Sequence, residues 1–142
     1  MLSRHRVHEA GHALVAALVG FRVDYDNQLE VSGNLGHRGL SVDFDRKRPV
    51  EVAAVTAAGN AAETVAFGKA ESLEDVIELD NLAATLVLDG LGPKEAIEIA
   101  RKGCALAERR LRDNWERLTE IARALGAPSD RVSGLLRGLR GE

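Results

Sequence analysis

Two histidines and a glutamate near the start of the chain form an H-E-x-x-H pattern, His8-Glu9-Ala10-Gly11-His12. This pattern is a signature of zinc proteases. On a helix, His8 and His12 lie four residues apart, so both imidazoles project from one face and can hold one metal ion. Glu9 lies next to that face, where a carboxylate can take a proton from a metal-bound water. The spacing therefore predicts metal-assisted hydrolysis.

The residues around this motif are apolar. From Val7 to Val19, the only charged or strongly polar residues are His8, Glu9 and His12. A helix that is apolar all round is buried, and buried polar groups need partners. A metal ion would be one such partner. The alternative is that the two histidines only donate hydrogen bonds to backbone carbonyls.

A catalytic zinc usually takes three protein ligands, so a third must lie elsewhere in the chain. The metzincin pattern is excluded, because ALVAALVGF follows His12 and contains no third histidine. Asp80 is one candidate: on a helical wheel it falls among apolar side chains, where a carboxylate is costly unless it is paired or binds a cation. The alternative for Asp80 is a buried pair with an arginine or an N-cap interaction. The apolar side of that wheel holds Leu73, Val76, Ile77, Ala83, Ala84 and Val87, and the opposite arc holds Glu74, Glu78, Asn81 and Thr85.

Glu63 is the rival third ligand. It is flanked by apolar positions, and glutamate is a precedented ligand in sites with two histidines. The helical wheel does not separate Glu63 from Asp80. His5 lies between two arginines and is interpreted as solvated, and His37 is interpreted as a surface or substrate-side residue.

The elements that must position these residues are five helices and a small antiparallel β element. Helix signals favour residues 3–19, 49–67, 72–89, 93–125 and 129–139. Ser3 is the expected N-cap of the first of these helices and Gly20 ends it, whereas Pro49 suits the first turn of the second and Gly68 ends that one. Strand signals favour residues 22–31 and 38–44, with a turn at 32–36. The long fourth helix carries a heptad-like apolar series, which we interpret as a core-facing stripe rather than a self-association surface.

The composition is that of one soluble domain spanning residues 1–142, with 45% hydrophobic and 29% charged residues. A net charge of −3 does not suggest nucleic-acid binding. No apolar run approaches the ~20 residues of a membrane span, and no signal-peptide cleavage pattern is present. The lone Cys104 fits a reducing compartment, so a cytoplasmic location is expected. There is no P-loop motif.

Four segments together resemble the peptidase domain of the FtsH-type ATP-dependent zinc metalloproteases. They read HEAGHALVA, AAGNAAETVAFG, DNLAAT and RRLRDNWERLTEIARAL. The resemblance implies a mainly α, FtsH-peptidase-like helical domain with a Zn²⁺ site. By that resemblance, His8, His12 and Asp80 are the metal ligands. Glu9 is the catalytic base, and Glu63 is a conformational residue behind the ligands.

The chain also departs from the family. Asn60 stands where the family has an arginine, Asn81 stands where it has a leucine, and the ATPase module and membrane anchor are missing. We therefore expect an ATP-independent zinc endopeptidase acting on unfolded or extended polypeptides. Self-association and an ATPase acting in trans are further expectations from the family. The alternative is a peptide-binding or partner module of a separate ATPase, with little hydrolysis of its own.

Overall fold

The computed structural model describes residues 2–25, 40–125 and 129–139. This part of the chain is mainly helical with a small antiparallel sheet, which confirms the expected fold class at that level. The helices are α1 (Arg4–Leu18), α2 (Pro49–Phe67), α3 (Glu74–Leu88), α4 (Pro93–Asp113), α5 (Trp115–Ala124) and α6 (Ser129–Leu139). None of them is long and apolar enough to cross a membrane. The predicted turn at 32–36, His37 and Arg38 lie outside the described residues.

Helix α1 carries the H-E-x-x-H motif and is buried from Val7 to Ala17, apart from the half-buried His12. It begins after Ser3, whose hydroxyl accepts a hydrogen bond from the Arg6 backbone N–H at 3.1 Å. This is the N-cap arrangement that the sequence predicts. The helix is followed by Gly20, whose φ of 91° ends it as expected.

Helix α2 lies at the centre of the fold, against α1, α3 and α4. Its predicted bounds are confirmed, since Pro49 begins it and Gly68, with a φ of 87°, follows its last residue. Small residues let its neighbours approach closely. A Cβ atom added at Gly11 of α1 would lie only 2.5 Å from the Ala58 carbonyl oxygen. Gly103 of α4 makes an equally close approach to the other side of α2, at Ala53.

The predicted long helix over residues 93–125 is wrong in one respect. The structure divides it into α4 and α5 at Asn114, where φ is −126° and ψ is 33°. The Asn114 side chain donates a hydrogen bond to the Arg110 carbonyl oxygen at 2.8 Å. An asparagine side chain that bonds to a nearby backbone group competes with the helical ladder, which explains the break.

Helix α3 turns a different face to the protein from the one that the apolar pattern suggests. Its mostly β-branched side is exposed, with Val76 at 50%, Ile77 at 57% and Leu88 at 86%. The opposite side, which carries Asp75 and three leucines at positions 79, 82 and 86, lies against the rest of the chain. Asp80 therefore lies on the exposed side of α3.

The two strands, β1 (Arg22–Tyr25) and β2 (Leu40–Asp43), form an antiparallel pair in which Arg22 lies opposite Asp43. Phe21 and Val23 are buried and join the sheet to the core. Of the predicted strand segments 22–31 and 38–44, residues 22–25 and 40–43 are strand and Phe44 is not, whereas residues 26–31 and 38–39 lie outside the described residues. Among the described residues, β2 pairs with β1 alone.

Candidate metal centre

His8 and His12 project from the same face of α1, as the four-residue spacing predicts. Their side chains are 5% and 19% exposed. The two Nε2 atoms lie 3.1 Å apart. The rings are steeply inclined to each other, at 73°, so neither covers the other's nitrogen by stacking.

The opposite nitrogen of each ring is bound to an acceptor. His12 Nδ1 lies 2.7 Å from the Val55 carbonyl oxygen, and His8 Nδ1 lies 2.6 Å from a carboxylate oxygen of Glu63. A carbonyl oxygen and an ionised carboxylate only accept, so Nδ1 must carry the hydrogen in both rings. In the neutral imidazoles, both Nε2 atoms then present bare lone pairs to the same small volume. This orientation is the one that metal-binding histidines use.

Asp75 completes the group. Its Oδ1 atom lies 3.2 Å from His8 Nε2 and 3.2 Å from His12 Nε2. Its other oxygen accepts a hydrogen bond from the Asn60 backbone N–H at 2.8 Å, which fixes the carboxylate. Tetrahedral ligands at zinc bond lengths of 2.0–2.1 Å are separated by about 3.3 Å. The three atom pairs therefore have the separations that a tetrahedral metal site requires.

Gly59 of α2 provides the space at this position. A Cβ atom added there would fall inside van der Waals contact with the Nε2 atoms of both His8 and His12. Any side chain at this position would therefore occupy the volume on which the ligand atoms converge. The glycine leaves a cradle for a metal ion.

The electrostatics of the group favour a cation. Burial lowers the pKa of His8, but the carboxylates of Asp75 and Glu63 outweigh burial and raise that pKa above 6.5. Burial raises the pKa of Asp75, but the two imidazoles outweigh it and hold that pKa well below its usual range. Both shifts show that the three side chains stabilise positive charge between them.

Glu63 lies behind the ligands rather than among them. Its Oε2 atom binds His8 Nδ1, whereas its Oε1 atom accepts hydrogen bonds from the Arg4 guanidinium at 2.9 Å and from the Glu71 backbone N–H at 3.3 Å. Burial raises the pKa of Glu63, and the bonds from Arg4 and His8 lower it by more. The carboxylate is thus kept ionised and aimed at the far nitrogen of a ligand. It orients the ring, as outer carboxylates do in metal sites.

Glu9 follows His8 in α1 and is buried, with 4% of its surface exposed. In the described part of the chain, the buried polar or charged residues are His8, Glu9, Glu63 and Asp75. Burying several ionisable groups is costly unless they are paired or bind a cation. All four of these groups belong to the H-E-x-x-H motif or contact its histidines. The role of Glu9 as a base stays a prediction.

The carboxylate that the structure brings to the two histidines is Asp75, not Asp80. Asp80 is exposed. The helical wheel puts it on the apolar side of α3, and that side does not face the core. A different signal would have found Asp75: it shares one helical face with Leu79, Leu82 and Leu86, at spacings of four, seven and eleven residues. That leucine series faces the rest of the chain, so the aspartate on the same helical face does too.

The other candidates lie away from the ligand atoms. His5 is exposed, in agreement with its interpretation as a solvated residue. Cys104 is partly buried, and burial raises the pKa of its thiol. Among the described residues, the group that can hold a metal ion is His8, His12 and Asp75.

Comparisons with known protein families, with curated proteins and with solved structures find no match for this chain. The resemblance to FtsH-type peptidases therefore rests on the segments quoted above.

Proposed function

We propose that this protein is a zinc-dependent endopeptidase that hydrolyses unfolded or extended polypeptides. One observation carries the proposal: two imidazole Nε2 atoms and one carboxylate oxygen converge, and their far sides are all anchored. Three protein ligands of this kind, leaving a coordination position for water or substrate, are typical of catalytic zinc. Structural zinc sites instead use four ligands, usually with cysteine.

His8, His12 and Asp75 would hold the ion. Zinc bound there would acidify a water molecule and polarise a carbonyl group. Glu9 is the residue next to the ligand face that can accept a proton from water and deliver it to the leaving amine. Glu63 and the Val55 carbonyl keep both ligand rings in the required tautomer.

An extended polypeptide is the substrate class that the sheet supports. We expect the peptide to dock along the strand segment 38–44, through the backbone of Leu40 and Ser41. Leu40 and Ser41 lie in β2, which pairs with β1 on one side. A peptide adding to the other side as a strand would gain backbone hydrogen bonds without needing a particular sequence. A folded protein offers few strands that are free to bind in this way.

A second candidate function has one observation in its favour. The exposed side of α3 presents Leu73, Val76, Ile77, Val87 and Leu88, all at least 39% exposed. Grouped exposed apolar residues are typical of contact surfaces. A peptide-binding module or partner of a separate ATPase, with little hydrolysis of its own, would use such a surface. A base beside the ligands would then be unnecessary, so replacing Glu9 should leave the binding of the peptide or partner unchanged.

Metal content tests the site first. Elemental analysis should find about one zinc per chain in the purified protein and in Asp80→Ala, and much less in Asp75→Ala. The two variants remove the same group from the same helix, so Asp80→Ala controls for general effects on α3. Zinc retained in Asp75→Ala, or absent from the zinc-supplied wild type, would contradict the site.

Hydrolysis is tested next, with casein and with a folded protein of similar size. The zinc-loaded wild type should cleave casein and leave the folded protein intact. Glu9→Gln should retain zinc but lose cleavage. Cleavage that survives in Glu9→Gln would refute the mechanism. Zinc binding without any cleavage by the wild type would favour the partner module.

A further inference from the structure

A groove of about 270 Å³ runs between α2 and α3. Its floor is apolar, formed by Pro49, Val52, Leu82 and Leu86. Glu78 stands on its α3 wall and Thr56 on its α2 wall. Asn81, Thr85 and two charged residues at the far end also line it, so the groove combines apolar and polar lining, as binding clefts do.

On each helix, the groove begins three residues from a residue of the metal centre. On α2, Thr56 precedes Gly59 by three residues, and on α3, Glu78 follows Asp75 by three residues. Three helical residues span about 4.5 Å. The groove is therefore placed to receive the chain of a peptide whose bond lies at the metal centre.

The charge along the groove is uneven. Arg46 and Asp89 both line it at the end distant from the site, where α2 begins and α3 has ended. Their opposite charges offset each other there. Glu78 lies at the end near the site, on a helix that contains no lysine or arginine from Glu74 to Leu88. Among the residues that line the groove, Glu78 is therefore the charged one at the near end.

We propose that this groove binds the substrate on one side of the scissile bond and that Glu78 selects a lysine or arginine side chain there. This inference rests on the proposed peptidase function. The long apolar stem of either residue fits the leucine floor, while its charged end reaches the carboxylate on the rim. An extended peptide advances about 3.3 Å per residue, so Glu78 would meet the side chain one or two residues from the cut bond.

The test compares peptides that differ at one position. Fluorogenic peptides carry Lys, Gln or Glu at each of the three positions on either side of a fixed cleavage site. They are assayed with the wild type, Glu78→Lys and Asp80→Lys. Asp80→Lys makes the same charge change on the outer side of the same helix, so it controls for the net charge of the protein. Cleavage-site mapping by mass spectrometry verifies that the cut bond is unchanged.

We expect kcat/KM of the wild type to favour Lys over Glu by about two- to fivefold at one or two adjacent positions, since exposed ion pairs are modest. Glu78→Lys should reverse this preference, mainly through KM, and Asp80→Lys should retain it. A preference unchanged in Glu78→Lys would overturn the inference and leave the groove to another occupant, such as a second copy of the chain. Equal loss of preference in both variants would also overturn it.

Binding separates this inference from the proposed function. Zinc-loaded Glu9→Gln and the double variant Glu9→Gln with Glu78→Lys are titrated with the labelled Lys and Glu peptides, and fluorescence anisotropy is measured. A Lys preference that the double variant reverses supports the groove even if the wild type cleaves nothing, which would refute the peptidase alone. Cleavage by the wild type without any charge preference in either assay would refute the groove alone.

Discussion

Replacing Glu63 by glutamine should weaken zinc binding although Glu63 does not reach the ligand atoms. The substitution keeps the volume of a fully buried side chain and removes the negative charge 2.6 Å from His8 Nδ1. A neutral amide is a poorer acceptor, so His8 becomes less basic at Nε2, and the amide group can also rotate its NH₂ towards the ring. Loss of an outer partner of this kind typically costs 10- to 100-fold in metal affinity, or about 1.4 to 2.7 kcal/mol.

Glu71→Gln is the matched control for this change. Glu71 also contacts the Arg4 guanidinium, at 3.5 Å, but its side chain is 56% exposed and its carboxylate does not touch His8. If the effect of Glu63→Gln came from freeing Arg4, both variants would weaken zinc binding. If it comes from the bond to His8, Glu71→Gln should bind zinc within about twofold of the wild type, because exposed ion pairs contribute little.

The assay is a competition titration with a chromophoric zinc chelator at fixed pH and salt. Thermal unfolding of the metal-free proteins, measured in parallel, shows whether either variant is destabilised as a whole. Equal zinc affinities for the wild type and Glu63→Gln, with both folded, would refute the role given to the carboxylate. The ring of His8 would then be held by packing alone.

Three other perturbations follow from the same geometry. Gly59→Ala should abolish zinc binding by elemental analysis, because its Cβ atom fills the ligand cradle, whereas Gly134→Ala, with nothing within 4 Å of its Cβ position, should leave it unchanged. Gly103→Ala should lower the free energy of unfolding by about 1 to 3 kcal/mol in a urea titration, since α2 and α4 must separate to admit the methyl group. In the metal-free protein, the raised pKa of His8 stabilises the fold fully below pH 6.5 and progressively less as pH rises through the higher folded value. The lowered pKa of Asp75 adds stability above about pH 4 that is lost on acidification. Tm of the metal-free protein should therefore fall above pH 6.5 while Tm with zinc rises, and parallel curves would contradict this coupling.

The fold was predictable from the sequence wherever a single residue determines where a helix begins or ends. The first helix begins after Ser3, which caps it, and the second begins at Pro49, whose φ is fixed by its ring. The second helix ends before Gly68, which adopts a positive φ. All three predictions are confirmed. The break at Asn114 was missed, although this residue interrupts the apolar series, because the series resumes at Leu118 and continues in α5. A side chain that competes for one backbone carbonyl gives no periodic signal.

The metal centre was predictable only in part, for a tertiary reason. The spacing of His8 and His12 places them together on any helix. The third group depends on which face of α3 turns inward, and α3 has apolar residues on both faces. The β-branched face looked like the core side and suggested Asp80, but α2 accepts the leucine face that carries Asp75. Sequence periodicity identifies an amphipathic helix and does not say which neighbour covers it.

The need for a cation follows from the whole arrangement rather than from the motif. A carbonyl oxygen of Val55 and the carboxylate of Glu63 fix the hydrogens of both rings on Nδ1, so the two Nε2 atoms cannot donate to each other while the rings are neutral. Asp75 then adds a third acceptor at 3.2 Å from both. Three acceptors at this distance, nearly excluded from water, repel one another unless protons or a metal ion lie between them. A proton on Nε2 serves this need only in the imidazolium form of a ring, whereas a metal ion leaves both rings neutral and in the tautomer that their anchors impose.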